Sequence, residues 1–217
     1  MRDFPSGHAH VHTASLPQPT LPDLTLKLSL SHPTWVEFSL QFCSKITGMD
    51  KDELAKEIAL YADQFINRIS EFTTDQLNIV PFENSWTAGQ VAHHIIKATD
   101  GLPDEKTEIP ARQPDQLVEE LKAIFLDFNA KYQSPDFVLP GNGPYDKNSL
   151  LMELERIKKQ NMAIALTKDI SLLCKDFEFP GVGYLTRFEW LKFMTFHTQR
   201  HLHQLNKIKP YLVFREV

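Results

Sequence analysis

Cysteine is scarce in this chain, which has only Cys43 and Cys174 among its 217 residues. Two cysteines so far apart exclude a disulfide framework, and they exclude a metal site built from several thiolates. Cysteine-poor sequences without disulfides are typical of reducing compartments, so we expect a cytoplasmic protein. A reactive thiol at Cys174, beside Lys175, is conceivable, but a buried and inert thiol is the default expectation.

Long apolar runs and clusters of basic residues are also missing. No segment is apolar over the length of a membrane-spanning helix, and no basic segment precedes an apolar core of the signal-peptide type. The formal net charge is -5 and the isoelectric point is near 6.0. Because nucleic-acid binders carry basic patches, we expect neither a nucleic acid nor a membrane as a partner.

The composition changes near residue 49. Residues 1–48 hold five prolines, few charges and no sustained helical period, and we predict that this extension is disordered or dispensable, with Met49 as a plausible alternative start. A competing interpretation is that residues 24–30 form a short strand and that nearby aromatic residues pack on the rest of the chain. The alternating histidines of this extension are better explained by incidental metal affinity of a tail; they are His8, His10 and His12.

Residues 49–217 form the second predicted domain, which has helical periodicity from Asp50 onward. The 42% hydrophobic content of the chain suffices for one substantial core. The first helix is predicted to open with a capping box of Asp50 and Glu53, and the second with caps at Asn84 and Ser85. One face of the first helix carries Leu54, Ile58, Ala62, Phe65, Ile69 and Phe72. Such a face must pack against other helices.

A long connection, residues 100–149, separates this pair of helices from two more. It contains an extra amphipathic helix predicted at residues 115–132 and a breaker-rich stretch at residues 134–144, predicted to be an ordered loop or a lid. The third helix is marked by Leu150, Leu154, Ile157 and Ile164, extended by Ile170 and Leu173. A capping box of Thr186 and Glu189 opens the fourth. The predicted fold class is all-α, a four-helix bundle with one extra helix in the long crossover.

Three histidines lie on the apolar faces of two of these helices. Steps of four and three residues along the last helix lead through Trp190, Met194, His197, His201, Gln204 and Ile208. His197 and His201 are about 6 Å apart along the axis, and His94 shares a stripe with Val91 and Ile95 on the second helix. Because an unpaired buried imidazole is costly, a shared metal ion is the economical explanation, with His94, His197 and His201 as its ligands.

The alternative is that these are ordinary core histidines, satisfied by hydrogen bonds between helices. For a single histidine that alternative is the better one, but an i, i+4 pair with a third histidine on another helix favours a transition metal. His93 and His203 project to other sides of their helices and are not expected to be ligands. No glutamate follows His197, so the His-Glu-x-x-His pattern of zinc proteases is absent.

Three motifs together resemble the DinB/YfiT-like superfamily: Trp-Thr-x-x-Gln-Val-x-x-His at residues 86–94, Gly-x-Leu-Thr-x-x-Glu-Trp at residues 183–190, and His-Thr-x-Arg-His-x-x-Gln at residues 197–204. The resemblance covers about residues 50–208. It implies a bundle with up-down-down-up order, a divalent metal held by His94, His197 and His201, a homodimer, and transfer or isomerisation reactions that use low-molecular-weight thiols. The extra helix departs from the minimal pattern, so the resemblance does not identify a substrate.

Chemistry at such a site follows from its open coordination position. Three imidazoles leave a metal at least one free position, which suits a catalytic site; a bound ion lowers the pKa of water or holds a thiol as thiolate. We expect a small-molecule enzyme of the thiol S-transferase or hydrolase type, with zinc, nickel, iron or copper. The alternative is a non-catalytic metal- or ligand-binding bundle used in stress response. Gln204 either orients a ligand or is a core amide, and Trp86 and Trp190 either line the pocket or simply pack.

Overall fold

A computed structural model describes residues 50–213 of the chain. The predictions for residues 1–48, including the alternating histidines and Cys43, and the alternative start at Met49 lie outside the described residues. Within residues 50–213 the protein is mostly helical, as the sequence predicted. None of the described helices combines the length and the apolar composition that crossing a membrane requires.

The helices differ greatly in length, and four are long. In chain order they are α1 (Lys51–Ser70), α2 (Thr74–Asn78), α3 (Ala88–Thr99), α4 (Val118–Leu126), α5 (Lys147–Thr167) and α6 (Arg187–Val213). The remaining elements are β1 (Thr107–Glu108), β2 (Leu173–Cys174) and a 3-10 turn (Asp136–Val138). The two short strands pair antiparallel, with Thr107 opposite Cys174. Helix α1 packs against α5 and α6, and α3 packs against the same two helices.

The start of α1 agrees in part with the prediction: Asp50 is the N-cap, but the bond from its N–H to the Glu53 side chain that would complete a capping box is not formed among the described residues. The Asp50 carboxylate accepts hydrogen bonds from the backbone N–H groups of Asp52 and Glu53, at 2.9 and 3.1 Å. These bonds satisfy two of the donors that every helix leaves open at its N-terminus. The predicted apolar face is buried at Leu54, Ile58, Phe65, Ile69 and Phe72.

The predicted caps of the next long helix, Asn84 and Ser85, are wrong. Asn84 has a φ of 60° and belongs to a turn, and α3 is capped by Thr87, whose hydroxyl accepts from the Gln90 N–H while the Gln90 side chain accepts from the Thr87 N–H. The Thr-x-x-Gln spacing of a capping box was present in the sequence. The same pattern at Thr73 caps the short helix α2, which was not predicted from the sequence.

Two predicted helices are longer than the structure allows. The extra helix was predicted at residues 115–132, but α4 covers only Val118–Leu126. Its continuation is replaced by a turn in which the Asp127 carboxylate accepts from the Asn129 N–H, since short polar side chains compete with helical bonding. Likewise α5 ends at Thr167, and beyond it Leu173 pairs with Glu108 in the two-stranded sheet.

The core of the described residues consists of two apolar clusters that meet helix α6 at different heights. One cluster uses Leu191, Phe193, Met194 and Phe196 of α6 together with α4 and the start of α1. The other uses Leu205, Ile208 and Leu212 together with α3 and the second half of α1. His197 and His201 lie on α6 between the two clusters. The fold thus places a polar stretch of α6 in the middle of an apolar interior.

Candidate metal centre

The structure brings the three predicted histidines together. The Nε2 atom of His197 lies 3.1 Å from Nε2 of His94 and 3.0 Å from Nε2 of His201, and one ligand atom of each ring lies within 4.8 Å of the other two. All three residues are buried: His94 is 2% exposed, His197 is 8% exposed and His201 is 9% exposed. In the part of the chain that the structure describes, this is the one cluster of three or more potential metal-ligating side chains.

Hydrogen bonds orient two of the rings. The Nδ1–H of His94 donates to the carbonyl oxygen of Val138 at 2.8 Å, and the Nδ1–H of His201 donates to Oε1 of Gln204 at 2.7 Å. Because both partners are acceptors, the ring protons lie on Nδ1, and the Nε2 atoms keep free lone pairs. Nδ1 of His197 is buried and has no hydrogen-bond partner among the described residues. The lone pairs of His94 and His201 therefore point into the space that the Nε2 atom of His197 also faces.

Burial keeps all three rings neutral. It is the largest cause of a pKa of His197 well below the usual range, and the charges of His201, His94 and Arg200 lower that pKa further. Burial likewise lowers the pKa of His201 to about 3, with the charge of His94 as the next cause. The pKa of His94 is lowered by burial and by Lys97, although the bond to Val138 opposes the shift. Neutral imidazole is the form that binds metals.

The geometry fits a transition metal. Ligand nitrogens at the usual zinc distance of about 2.0–2.1 Å are separated by about 3.3 Å in a tetrahedral site, close to the two measured separations of 3.0 and 3.1 Å. The Nε2 atoms of His94 and His201 carry inward lone pairs and no proton, and both lie close to Nε2 of His197. A cation between the three rings would accept these lone pairs, and three protein ligands would leave it a fourth position for a water or substrate.

Aromatic rings surround the histidine cluster. The Trp86 ring centre lies 5.1 Å from that of His94 and stacks at 6.5 Å on His201. Phe125 of α4 lies 5.3 Å from His197, so the extra helix supplies a wall that sequence reasoning did not assign to the site. Trp190, in contrast, packs against the rings of Phe177, Phe179 and Phe193 in the apolar cluster at the N-terminal part of α6. Of the two tryptophans considered from the sequence, Trp86 contacts the site and Trp190 is a packing residue.

His93, His203 and Cys174 lie outside the histidine cluster. Nδ1 of His93 accepts a hydrogen bond from the Gly141 N–H at 3.0 Å, and the His203 ring stacks on Phe128 at 4.3 Å. Cys174 is a free, buried thiol, and burial raises its pKa to about 12. At neutral pH this thiol is therefore protonated and a poor nucleophile. This confirms the expectation of a buried and inert thiol.

A core cavity lies close to the cluster of His94, His197 and His201, but these three histidines do not line it. It has a volume of about 40 Å³, which is room for roughly three water-sized spheres. Its wall includes Ile95, Asn161, Met194 and Thr198 and none of the three histidines. The cavity is therefore not a substrate pocket over the histidine cluster.

A second buried polar cluster lies at the N-terminal end of α6. Glu189 is fully buried, and its two carboxylate oxygens accept from the Arg112 guanidinium at 2.6 and 2.7 Å. They also accept from the backbone N–H groups of Leu117 and Thr186 at 2.8 and 2.9 Å. The predicted capping box of Thr186 and Glu189 is thus confirmed, and its glutamate also anchors the crossover. Arg112 was not predicted, because a single arginine in a loop gives no local signal of its distant partner.

Comparison with known proteins identifies relatives over most of the described region. A family model described as the DinB superfamily matches residues 61–205. The chain is also 26% identical over 152 residues to the uncharacterized protein YuaE of Bacillus subtilis (strain 168), an alignment that covers 66% of this chain and 89% of that protein. No solved structure is significantly similar to this chain. The family match includes all three histidines.

Proposed function

The chain belongs to the DinB superfamily, and from this premise we propose that it binds one divalent transition metal per chain through His94, His197 and His201. The observation that carries the proposal is the convergence of three buried, neutral imidazoles whose Nε2 atoms lie about one ligand-ligand separation apart. Zinc, nickel and iron all suit imidazole ligands. The proposal leaves the choice among them to metal analysis.

The finer architecture belongs to the same proposal. We propose that the four long helices α1, α3, α5 and α6 form one bundle in up-down-down-up order, with α4 added in the crossover. The packing of α1 and of α3 against both α5 and α6 supports this arrangement. A homodimer and a cytoplasmic location complete the proposal, on the grounds of family resemblance and of scarce cysteine respectively.

Catalysis at this site is the favoured function. We propose a metal-dependent enzyme of the thiol S-transferase or hydrolase type that acts on a small molecule. When bound, a divalent ion supplies Lewis acidity that activates a thiol or a water. The protein's own contribution is to hold His201 through Gln204 and His94 through Val138, and to exclude bulk water with Trp86 and with the aromatic rings beside His197.

A non-catalytic metal- or ligand-binding protein is the second candidate. The core cavity is lined by none of the three histidines, and the histidines are nearly inaccessible. An enzyme requires a path for its substrate to the reacting group. These two observations support the binding protein as the second candidate, and the activity experiment below decides between the two functions.

Metal binding is tested by elemental analysis and by zinc titration against a competing chelator. Wild-type protein is expected to bind about one ion per chain, and the double variant His197→Ala, His201→Ala is expected to lose at least about 1000-fold in affinity, since two of three ligands are gone. His203→Ala is the matched control, because this histidine lies on the same helix outside the cluster. Undiminished stoichiometric binding by the double variant would overturn the proposed site.

Activity is tested on metal-loaded protein with two substrate panels. One panel pairs low-molecular-weight thiols with electrophiles, and the other contains esters and amides. Turnover that disappears with chelation and with His197→Ala supports an enzyme, and the responsive panel assigns its type. Full metal loading without turnover in either panel supports the binding protein instead.

A further inference from the structure

The crossover between α3 and α5 takes part in the histidine cluster through a backbone atom. The carbonyl oxygen of Val138 accepts the Nδ1–H of His94, although the two residues are 44 positions apart. Val138 is buried, but its neighbours Phe137 and Leu139 are 59% and 39% exposed. Apolar packing of this short 3-10 turn comes from the buried Val138 side chain and from the Phe137 ring, which lies 5.5 Å from that of Phe177. Polar contacts nearby add to this packing.

Those contacts come from helix α3 itself. The N–H of Gly141 donates to Nδ1 of His93 at 3.0 Å, and the carbonyl oxygen of Leu139 accepts from the Lys97 ammonium at 2.8 Å. Both contacts lie within three residues of Val138. The hydroxyl of Tyr145 donates to the carbonyl of Gly141. Both the N–H and the carbonyl of Gly141 are therefore hydrogen-bonded.

The adjacent histidines use the same ring atom in opposite ways. Nδ1 of His93 accepts from the crossover, which places its ring proton on Nε2, whereas Nδ1 of His94 donates to the crossover. A lysine or a protonated ring at position 93 would offer no acceptor to Gly141. The crossover is therefore bound by one histidine and, in turn, sets the tautomer of the other.

We propose that His93 is a positioning residue for the metal centre: by holding Gly141 it keeps the Val138 carbonyl on the Nδ1–H of His94, so that Nε2 of His94 stays free to bind metal. The inference rests on the proposed function for its metal-binding consequence. The hydrogen bond between His94 and Val138 exists without that function. Carbonyl partners of this kind fix the tautomer and orientation of ligating histidines, and their loss typically costs about 10-fold to 100-fold in metal affinity.

Two substitutions at position 93 separate the hydrogen bond from ring packing. His93→Phe keeps a ring beside Tyr145, which lies 5.4 Å away, but it has no acceptor. His93→Asn loses the ring but places an acceptor oxygen near the position of Nδ1. His203→Phe is the control, because His203 is also a half-buried histidine that stacks on one aromatic ring, and its partner Phe128 lies outside the stretch from Phe137 to Gly141 that holds the Val138 carbonyl.

The first readout is the His94 ring in metal-free protein, observed by nitrogen-15 NMR of the full chain. Wild type, His93→Asn and His203→Phe are expected to show a single His94 tautomer protonated on Nδ1. His93→Phe is expected to show a mixture of tautomers and faster exchange of the Nδ1 proton. This measurement requires no metal, so it tests the positioning role even if the proposed function fails.

The second readout is zinc affinity, with the absorption spectrum of the cobalt-loaded protein as a report on ligand geometry. His93→Phe is expected to bind about 10-fold more weakly and to shift the cobalt spectrum, whereas His93→Asn and His203→Phe stay within about 3-fold of wild type. An unchanged His94 tautomer and zinc affinity in a folded His93→Phe protein would overturn the inference, as would equal weakening by His203→Phe. Absence of zinc binding by wild type would overturn the proposed function instead.

Discussion

Helix α6 carries two buried polar clusters that are built on opposite principles. Around Glu189, each carboxylate oxygen has partners in Arg112 and in backbone N–H groups, and the negative charge is matched. Around His197, about 12 Å further along the helix, only the outer atoms of His94 and His201 are satisfied. Nδ1 of His197 has no partner among the described residues, and the inner Nε2 atoms face one another.

The difference distinguishes a cluster that is complete within the chain from one that could hold a metal ion. Buried polar groups in native proteins are almost always paired, and an incompletely paired cluster is costly unless something else completes it. The glutamate cluster is complete within the chain, so its role is to join the crossover to α6. On the proposed function, a cation completes the histidine cluster, and the two clusters are then expected to respond oppositely to mutation, pH and metal.

The largest expected effect of a single substitution is on the complete cluster. Arg112→Met leaves the Glu189 carboxylate buried without its cation, and the free energy of unfolding is expected to fall by about 3 kcal/mol. Urea unfolding measures the loss, and zinc affinity is expected to stay within about 3-fold of wild type. A loss below about 1 kcal/mol would show that the cluster does not join the crossover to α6. The double variant Arg112→Met, Glu189→Leu, which removes both charges, is expected to recover part of the loss.

Acid should destabilise the histidine cluster. An exposed histidine has a pKa near 6.5. The pKa of His197 lies well below that value, and the pKa of His201 is lowered to about 3. The unfolded chain therefore binds more protons below about pH 6.5, and this stability, present above that pH, is lost as the pH falls. Between pH 7 and pH 5, each of the two histidines is expected to lower the free energy of unfolding of metal-free protein by up to about 2 kcal/mol.

Urea unfolding with a chelator present measures this pH dependence. The matched variant is His197→Gln, His201→Gln, which removes both titrating groups and keeps polar side chains. Its free energy of unfolding is expected to change less between pH 7 and pH 5 than that of wild type. Equal pH dependence in the two proteins would show that these rings do not stay neutral in the fold.

A smaller effect is expected at the outer partner of His201. Gln204→Leu removes the acceptor for the His201 Nδ1–H, and zinc affinity is expected to fall about 10-fold, or about 1.4 kcal/mol. Gln204→Glu keeps an acceptor and should bind at least as tightly as wild type. Retained affinity in Gln204→Leu would make Gln204 an ordinary core amide, which was the other interpretation of this residue.

The smallest effect is expected from the N-terminal extension. All residues of both clusters lie within residues 50–213, so a chain that starts at Met49 should keep full zinc stoichiometry and lose less than about 1 kcal/mol of stability. Circular dichroism during urea unfolding and zinc titration check the two statements. Aggregation, or a loss of several kcal/mol, would mean that residues 1–48 contribute to the fold.

Sequence periodicity predicted the histidine cluster better than it predicted helix ends. Helical phasing placed His94, His197 and His201 inward and His93 and His203 elsewhere, because side-chain direction within a helix is determined by residue spacing. The ends of α4 and α5 were predicted too far along the chain, since apolar residues continue past Leu126 and Thr167 into turns. Apolar spacing does not reveal the local hydrogen bonds that end a helix.

By itself the sequence determined the mostly helical class, the capping boxes and the inward face of each histidine, because all three depend on interactions between residues at most four positions apart. Only the tertiary structure decided that the Val138 carbonyl holds His94 and that Arg112 neutralises Glu189, across 44 and 77 positions of sequence. A backbone carbonyl has no residue type to recognise, and a lone loop arginine has many possible partners. Folding of the crossover onto α3 and α6 selects which of those contacts exist.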